Sequence, residues 1–260
     1  MNISVIMAVY NDSEYLAESI NSILEQSYTD FEFIIVDDCS TDGCDEIIKH
    51  YSKIDQRIIQ FQNEKNTGLP SCLNFAITKS KGRFIARMDG DDISHPDRLD
   101  KQLAFMNENT GIDICGTGIV YIDSDGVEVG KADMPLTHNE IKKTINRKSP
   151  FAHPSVLIRK EFFENYGGYD ETLRRKQDYD LWSRGMINGA KYSNLPDHLV
   201  QYRFPPKKSF TSDLYGFRVR IRYFITTGNI LWLIFALYVL ALNVIRKLLP
   251  RSISEIVFRS

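Results

Sequence analysis

Apolar residues run almost unbroken through Ile3–Val9, Phe31–Val36 and Phe84–Met88, and each run closes on a polar cluster. Between the first two, Leu16, Ile20, Ile23 and Leu24 recur at the spacing of a helix with one buried face. The pattern predicts strands at 3–9, 31–36, 57–61 and 84–88, and helices near 13–27, 44–53 and 70–79. Strands that lack polar alternation and are separated by helices imply an α/β fold, a parallel sheet covered on both faces. Ligands gather at the carboxyl ends of strands in such sheets. Chemistry is therefore expected at 10–12, 37–42 and 89–92.

Past residue 93 the pattern changes. It predicts a helix over 96–107, a strand over 112–122, a short return strand near 127–129, and a helix near 138–146. A strand at 155–159 and helices at 160–166 and 177–188 follow. Asp123-Ser124-Asp125-Gly126 reads as a hairpin turn rather than a calcium loop, because the later ligands of such a loop are missing.

Composition changes this picture only at the ends. With 43% hydrophobic and 25% charged residues, the chain is neither disordered nor a disulfide scaffold. Cys39, Cys44, Cys72 and Cys115 show no metal or disulfide spacing and read as reduced thiols. Met1-Asn2-Ile3 has no basic flank, so the start reads as a buried strand rather than a signal peptide, with cytosol-facing chemistry. The net charge of −2 averages two unlike parts: residues 201–260 carry ten Lys/Arg and two Asp/Glu, leaving 22 against 32 in residues 1–200. Within that basic tail, Tyr223–Ile245 bears no formal charge, and Thr226-Thr227-Gly228-Asn229 interrupts it before the apolar run Ile230–Leu242. A run of that length suits an interfacial or buried helix better than a full span. The expectation is a tail, 211–260, that meets an anionic membrane surface through 222–250 as a peripheral, monotopic or short single-span element. Burial against the body or in a homodimer is the alternative. No nucleic-acid partner is expected.

Arg87-Met88-Asp89-Gly90-Asp91-Asp92 places three carboxylates within four residues at a strand end. Their repulsion calls for a compensating cation, and Mg2+ or Mn2+ shared with phosphate oxygens would supply it. The plainer alternative is a solvated loop of helix-capping aspartates.

Several separated motifs now agree in order. Val5-Ile6-Met7-Ala8-Val9-Tyr10-Asn11, Ile35-Val36-Asp37-Asp38-Cys39-Ser40-Thr41-Asp42, Asn66-Thr67-Gly68 with Asn74, Asp89-Gly90-Asp91, and His153-Pro154-Ser155 with Gln177-Asp178-Tyr179-Asp180-Leu181-Trp182 resemble those of family 2 glycosyltransferases with the GT-A fold. The resemblance covers residue 3 to about 204, and Cys39 stands where the family has glycine. It implies a Rossmann-like, mostly parallel sheet flanked by helices, with a catalytic domain over 1–210 (a nucleotide-sugar half over about 1–110 and an acceptor half over about 111–210). It implies inverting transfer of a sugar from a nucleotide diphosphate, UDP-linked for preference, to a saccharide acceptor. The tail makes a lipid-linked oligosaccharide in surface-polysaccharide synthesis the natural acceptor, at the cytoplasmic face of the membrane.

The family pattern gives Asp178 the role of catalytic base. It gives Tyr10, Asp37, Asp38, Asn66, Gly68, Asn74, Asp89 and Asp91 to the nucleotide sugar, and Asp91, assisted by Asp89 and Asp92, to Mn2+ or Mg2+. His153, Gln177, Trp182 and Arg203 are candidates for the acceptor or for phosphate. Gln177 replaces the family's usual glutamate, and the histidine expected after Tyr202-Arg203 is missing, so Arg203, Lys207 or Lys208 is the candidate to replace it. Asp180, two residues beyond the base, is expected to point away from it. Two rivals remain. A nucleotidylyltransferase would open with a glycine-rich phosphate loop, which does not follow Val9. A catalytically inactive nucleotide-sugar-binding scaffold is conceivable from Gln177.

Overall fold

The computed structural model describes residues 1–203 and 210–248. Lys207 and Lys208, and the tail beyond 248, lie outside the described residues.

Four strands, β1 (Ile3–Val9), β2 (Phe31–Asp37), β3 (Ile58–Gln62) and β4 (Phe84–Met88), form a parallel block in the order β3-β2-β1-β4. Every residue of β1 and β2 is buried, which is why neither alternates in polarity. Successive side chains nonetheless serve opposite faces. Ile3, Val5, Met7 and Val9 pack with α1 (Ser13–Leu24), α2 (Cys44–Ile54) and α4 (Arg98–Glu108). Ile6 and Ala8 face α3 (Leu69–Lys79) on the other side.

After β4 and the short β5 (Ile93–Ser94) the sheet becomes mixed. β6 (Ile114–Ile122), β8 (Leu157–Arg159) and β9 (Tyr192–Arg203) extend it in the order β4-β8-β6-β9-β5, with β7 (Glu128–Ala132) hairpinned on β6. Asp123 builds that hairpin turn by accepting the backbone N–H groups of Asp125 and Val127 through its carboxylate, as expected. The twelve-residue β9 pairs parallel to β6 and was not predicted, because only five of its residues are buried and polar side chains interrupt its apolar pattern. Helices α5 (His138–Thr144), α6 (Lys160–Tyr166) and α7 (Gln177–Ile187) cover this half. All four cysteines are free thiols.

The tail is two helices, α8 (Phe210–Thr227) and α9 (Ile230–Leu248), broken at Gly228 in left-handed backbone (φ 65°). One face packs on the body: Val219, Tyr223, Trp232 and Ala236 are buried, and the first three join the core around α7. The opposite face leaves Ile230, Leu231, Ile234, Leu237 and Tyr238 exposed. Among the described residues no helix is long and apolar enough to cross a membrane, which sets aside the single-span alternative for them. Packing on the body, written above as an alternative, thus accounts for one face of the tail and leaves the other open.

Candidate active site

Three strand ends meet above the parallel block. β1 delivers Tyr10 and Asp12, β2 delivers Asp37 and Asp38, and β4 delivers Asp89–Asp92. Asp38 shapes its surroundings. Its carboxylate accepts the backbone N–H groups of Thr67 (2.8 Å) and Gly68 (2.7 Å), the Thr67 hydroxyl and the Asn63 amide. Those donors outweigh the effect of burial and hold its pKa below the usual carboxylate range. Asp37 is also buried and binds inward, to the backbone N–H of Ser40 and the Gln62 amide. Cys39 then takes left-handed backbone (φ 66°), the conformation that glycine adopts most readily, at the position where the resembled family carries glycine.

Tyr10, Asp38, Asn66, Thr67, Gly68, Leu69 and Arg174 line a cavity of about 410 Å3. A narrower one of about 160 Å3 adjoins it, bounded by Tyr10, Asp12, Asp38, Cys72 and Asp89. A third, of about 260 Å3, is lined by Leu69, Arg87, Asp89, His153, Arg174, Arg175, Lys176, Gln177, Asp178 and Tyr202. Shared walls at Tyr10, Leu69, Asp89 and Arg174 make them one cleft. The half-exposed Tyr10 ring is free to lie against a base.

Carboxylate oxygens of Asp89, Asp91 and Asp92 all lie within 4.8 Å of one another. Burial, and then the charges of Asp89 and Asp12, push Asp91 up to about 6. Burial, reinforced by Asp89 and Asp91, pushes Asp92 well above its usual range. Asp92 keeps one carboxylate oxygen buried with no partner. An all-oxygen set with unmatched negative charge fits Mg2+ or Mn2+. Part of the charge is already met by the buried Arg87, whose guanidinium bonds Asp89.

The far wall comes from the acceptor half. Asp178 sits in the first turn of α7 and is partly exposed to the third cavity. Its predecessor Gln177 is buried in the wall with an unpartnered carbonyl oxygen, an acceptor for a ligand hydroxyl. His153 donates to or accepts from the Tyr169 hydroxyl at 2.9 Å, and burial pulls its pKa well down, so the ring is neutral. It faces the cleft but is not near enough to the acid cluster to join it as a ligand group.

Three expected ligand residues are committed elsewhere. The Asn74 amide bridges to Tyr169 N–H (2.8 Å), Tyr169 C=O (2.9 Å) and Glu171, and so fastens α3 to the loop before α7 instead of meeting nucleotide. Trp182 is fully buried, packed edge-on to Phe151 and His153, and cannot stack on an acceptor sugar. Arg203 stacks on Tyr15 and donates to the carbonyls of Asp91, Asp123 and Ser124 and to Glu18. With its own backbone N–H on Asp92 (2.8 Å), it pins the acidic loop from behind and has no donor turned to a diphosphate. Asp180, as expected, points away from Asp178, but into a fully buried pairing with Arg222 and Tyr223 rather than to solvent. The cations that do face the cleft are Arg174, Arg175 and Lys176, a run the sequence reading passed over because consecutive charges usually mark solvated surface.

A mostly parallel sheet flanked by helices, with an acid cluster at a strand end beside a cleft, is the arrangement of the GT-A fold. Residues 4–167 match the family model "Glycosyl transferase family 2". The chain is 39% identical over 218 residues to the O-antigen biosynthesis glycosyltransferase WbnJ of Escherichia coli, covering 82% of this chain and 83% of WbnJ. It is 31% identical over 204 residues to an E. coli UDP-Gal:alpha-D-GlcNAc-diphosphoundecaprenol beta-1,3-galactosyltransferase, covering 77% of this chain and 74% of that enzyme. In three dimensions it superposes on S. aureus TarS 1-349 in complex with UDP-GlcNAc with a TM-score of 0.71 at 22% identity, over 86% of this chain and 67% of the other. This chain belongs to glycosyltransferase family 2. That membership sets aside the nucleotidylyltransferase reading.

Proposed function

We propose that the protein is an inverting glycosyltransferase that moves a hexosyl or N-acetylhexosaminyl unit from a UDP-sugar to a lipid-linked saccharide at the cytoplasmic membrane surface. The observation that carries this reading is the single cleft in which Tyr10, Asp38 and the Asn66–Gly68 loop are joined through Asp89 and Arg174 to Asp178. The O-antigen role of WbnJ, the UDP-Gal donor and lipid-linked acceptor of the E. coli galactosyltransferase, and the UDP-GlcNAc complex of TarS support the donor and acceptor classes.

Tyr10 and the loop held by Asp38 seat the base and ribose. Gln177 orients the acceptor, and the Asp178 carboxylate takes the proton from the acceptor hydroxyl as its oxygen bonds the anomeric carbon. The bond from that carbon to the β-phosphate oxygen breaks on the opposite face, and UDP leaves with the electron pair. Asp91, Asp89 and Asp92 would hold Mn2+ or Mg2+, which when bound supplies positive charge to the leaving diphosphate. Arg174, on the wall common to the nucleotide and acceptor cavities, adds a second cation there. The exposed apolar face of α9 rests on the membrane, with the basic tail toward anionic lipid.

The test is UDP release and sugar transfer over a panel of UDP-sugars with manganese. Asp178→Asn is expected to lose about two to four orders of magnitude in kcat while binding UDP normally. Full turnover in that variant would remove the base assignment, and release indifferent to Asp91→Ala would remove the metal. Transfer by no donor, with UDP still bound, would return the scaffold reading.

A further inference from the structure

The cavity that holds Asp178 is cationic in a body that is otherwise acidic. Arg87, Arg174, Arg175 and Lys176 line it against only two carboxylates, Asp89 and Asp178. Arg87 is spoken for by Asp89, and Arg174 also serves the nucleotide cavity. Arg175 and Lys176 line only the Asp178 cavity, and among the described residues neither side chain forms an ion pair or hydrogen bond. Arg175 is exposed and Lys176 half-buried, in the loop that leads directly into α7. Two cations at the rim of one cavity repel each other, and a bound anion would relieve that repulsion.

We propose that Arg175 and Lys176 form a subsite for the phosphate of the acceptor, so that the acceptor is a sugar joined to its lipid through a phosphodiester or diphosphate. The proposal rests on the transferase reading above and names the acceptor's chemistry. A sugar whose hydroxyl meets Asp178 places its own anomeric oxygen one ring away, and the rim of the same cavity carries these cations. The guanidinium fork and the ammonium suit phosphate oxygens, which a neutral glycoside lacks. The loop also leads toward the tail: Asp170, near its start, binds Arg222 of α8 at 2.9 Å. The phosphate rim and the helices with the exposed apolar face are therefore fastened together, as a lipid phosphate requires.

Farnesyl diphosphate, kept below its micelle concentration, is the probe, titrated in the presence of saturating UDP and manganese so that the donor site is filled. Wild-type protein is expected to bind it and to ignore farnesol. Arg175→Ala/Lys176→Ala should weaken that binding about ten- to hundredfold, the range for one or two lost charged hydrogen bonds, with UDP affinity unchanged. The charge-preserving swap Arg175→Lys/Lys176→Arg should restore most of it. Equal loss of UDP affinity would mean that the rim serves the donor, and unchanged farnesyl diphosphate binding would make it ordinary surface; either overturns the proposal. Wild-type protein that binds UDP but not farnesyl diphosphate overturns it too. Failure to bind UDP at all is the separate failure of the transferase reading, and takes this proposal with it.

Discussion

The two walls of the cleft are built on opposite plans. On the nucleotide side, Asp37 and Asp38 are buried and spend their oxygens on the protein's own donors. On the opposite wall, the Gln177 side-chain oxygen and the Arg175 and Lys176 side chains have no protein partner among the described residues. The first wall is finished before ligand arrives, and its aspartates fix a shape. The second is completed only by what binds. A closed hydrogen-bond network rigidifies a site, whereas open donors and acceptors select for a ligand that satisfies them. Between the two lies the acid cluster, built from strand-end residues but left electrically unsatisfied.

If the nucleotide wall is preorganised by Asp38, removing that carboxylate should do the most damage. Asp38→Ala strands the N–H groups of Thr67 and Gly68, and is expected to weaken UDP binding by at least about tenfold and to cost about 1–3 kcal/mol of stability. Calorimetric titration with UDP and a denaturant melt check both, and a variant with intact affinity would show that the loop holds its shape unaided. Because the folded pKa of Asp38 is depressed, its contribution is present above the unfolded value of 3.8 and is lost as pH falls through the lower folded pKa.

The acid cluster should behave in the opposite sense. Asp91 titrates near 6, above its unfolded value of 3.8, so in metal-free protein it costs nothing at low pH and destabilises increasingly as pH rises through that window. Asp91→Asn should therefore stabilise metal-free protein at pH 7.5 by on the order of 1–3 kcal/mol, seen as a higher melting temperature, with the difference shrinking as pH falls and gone below the unfolded value of 3.8. Manganese affinity of the wild type should fall as pH drops through about 6. A variant less stable at pH 7.5 would mean that the cluster is compensated in some other way.

The smallest effect is expected at Cys39. Its left-handed backbone favours Cys39→Gly by up to about 1 kcal/mol, offset in part by the freer unfolded chain, while Cys39→Val should destabilise. Melts of both variants check this, and a tolerated valine would contradict the strain.

The nucleotide wall was legible in the sequence because its residues come from short motifs at the ends of fully buried strands, where periodicity places them without knowledge of tertiary contacts. Asp178 came instead from the family pattern, as one residue of a short motif that the structure places at a helix start. Local signals failed where roles depend on partners far along the chain. Arg203 lies 111 positions from Asp92 yet is committed to the loop that holds it. Asn74 reaches across 95 positions to Tyr169. Neither pairing leaves a trace in spacing. For Trp182 the sequence permits sugar stacking or core equally, as an aromatic next to a site is indistinguishable in sequence from one beneath it, and the fold makes it core. The tail's division into two helices was visible at Gly228-Asn229, but which face the body would cover was not.

That covering has a consequence for how the molecule can be taken apart. Helix α7 presents Asp178 at its front, while at its back Tyr179 packs on Trp232 and Asp180 is held by Arg222 and Tyr223, all from the tail. A chain cut after Arg203 would strip Asp180 of Arg222 and Tyr223, leaving it only Arg184 at 3.7 Å, and would turn an aromatic cluster to water directly behind Asp178. The tail is therefore no detachable anchor. Grafting a tail from a relative onto this body, or trimming it for solubility, would have to carry the Tyr223, Arg222 and Trp232 contacts with it.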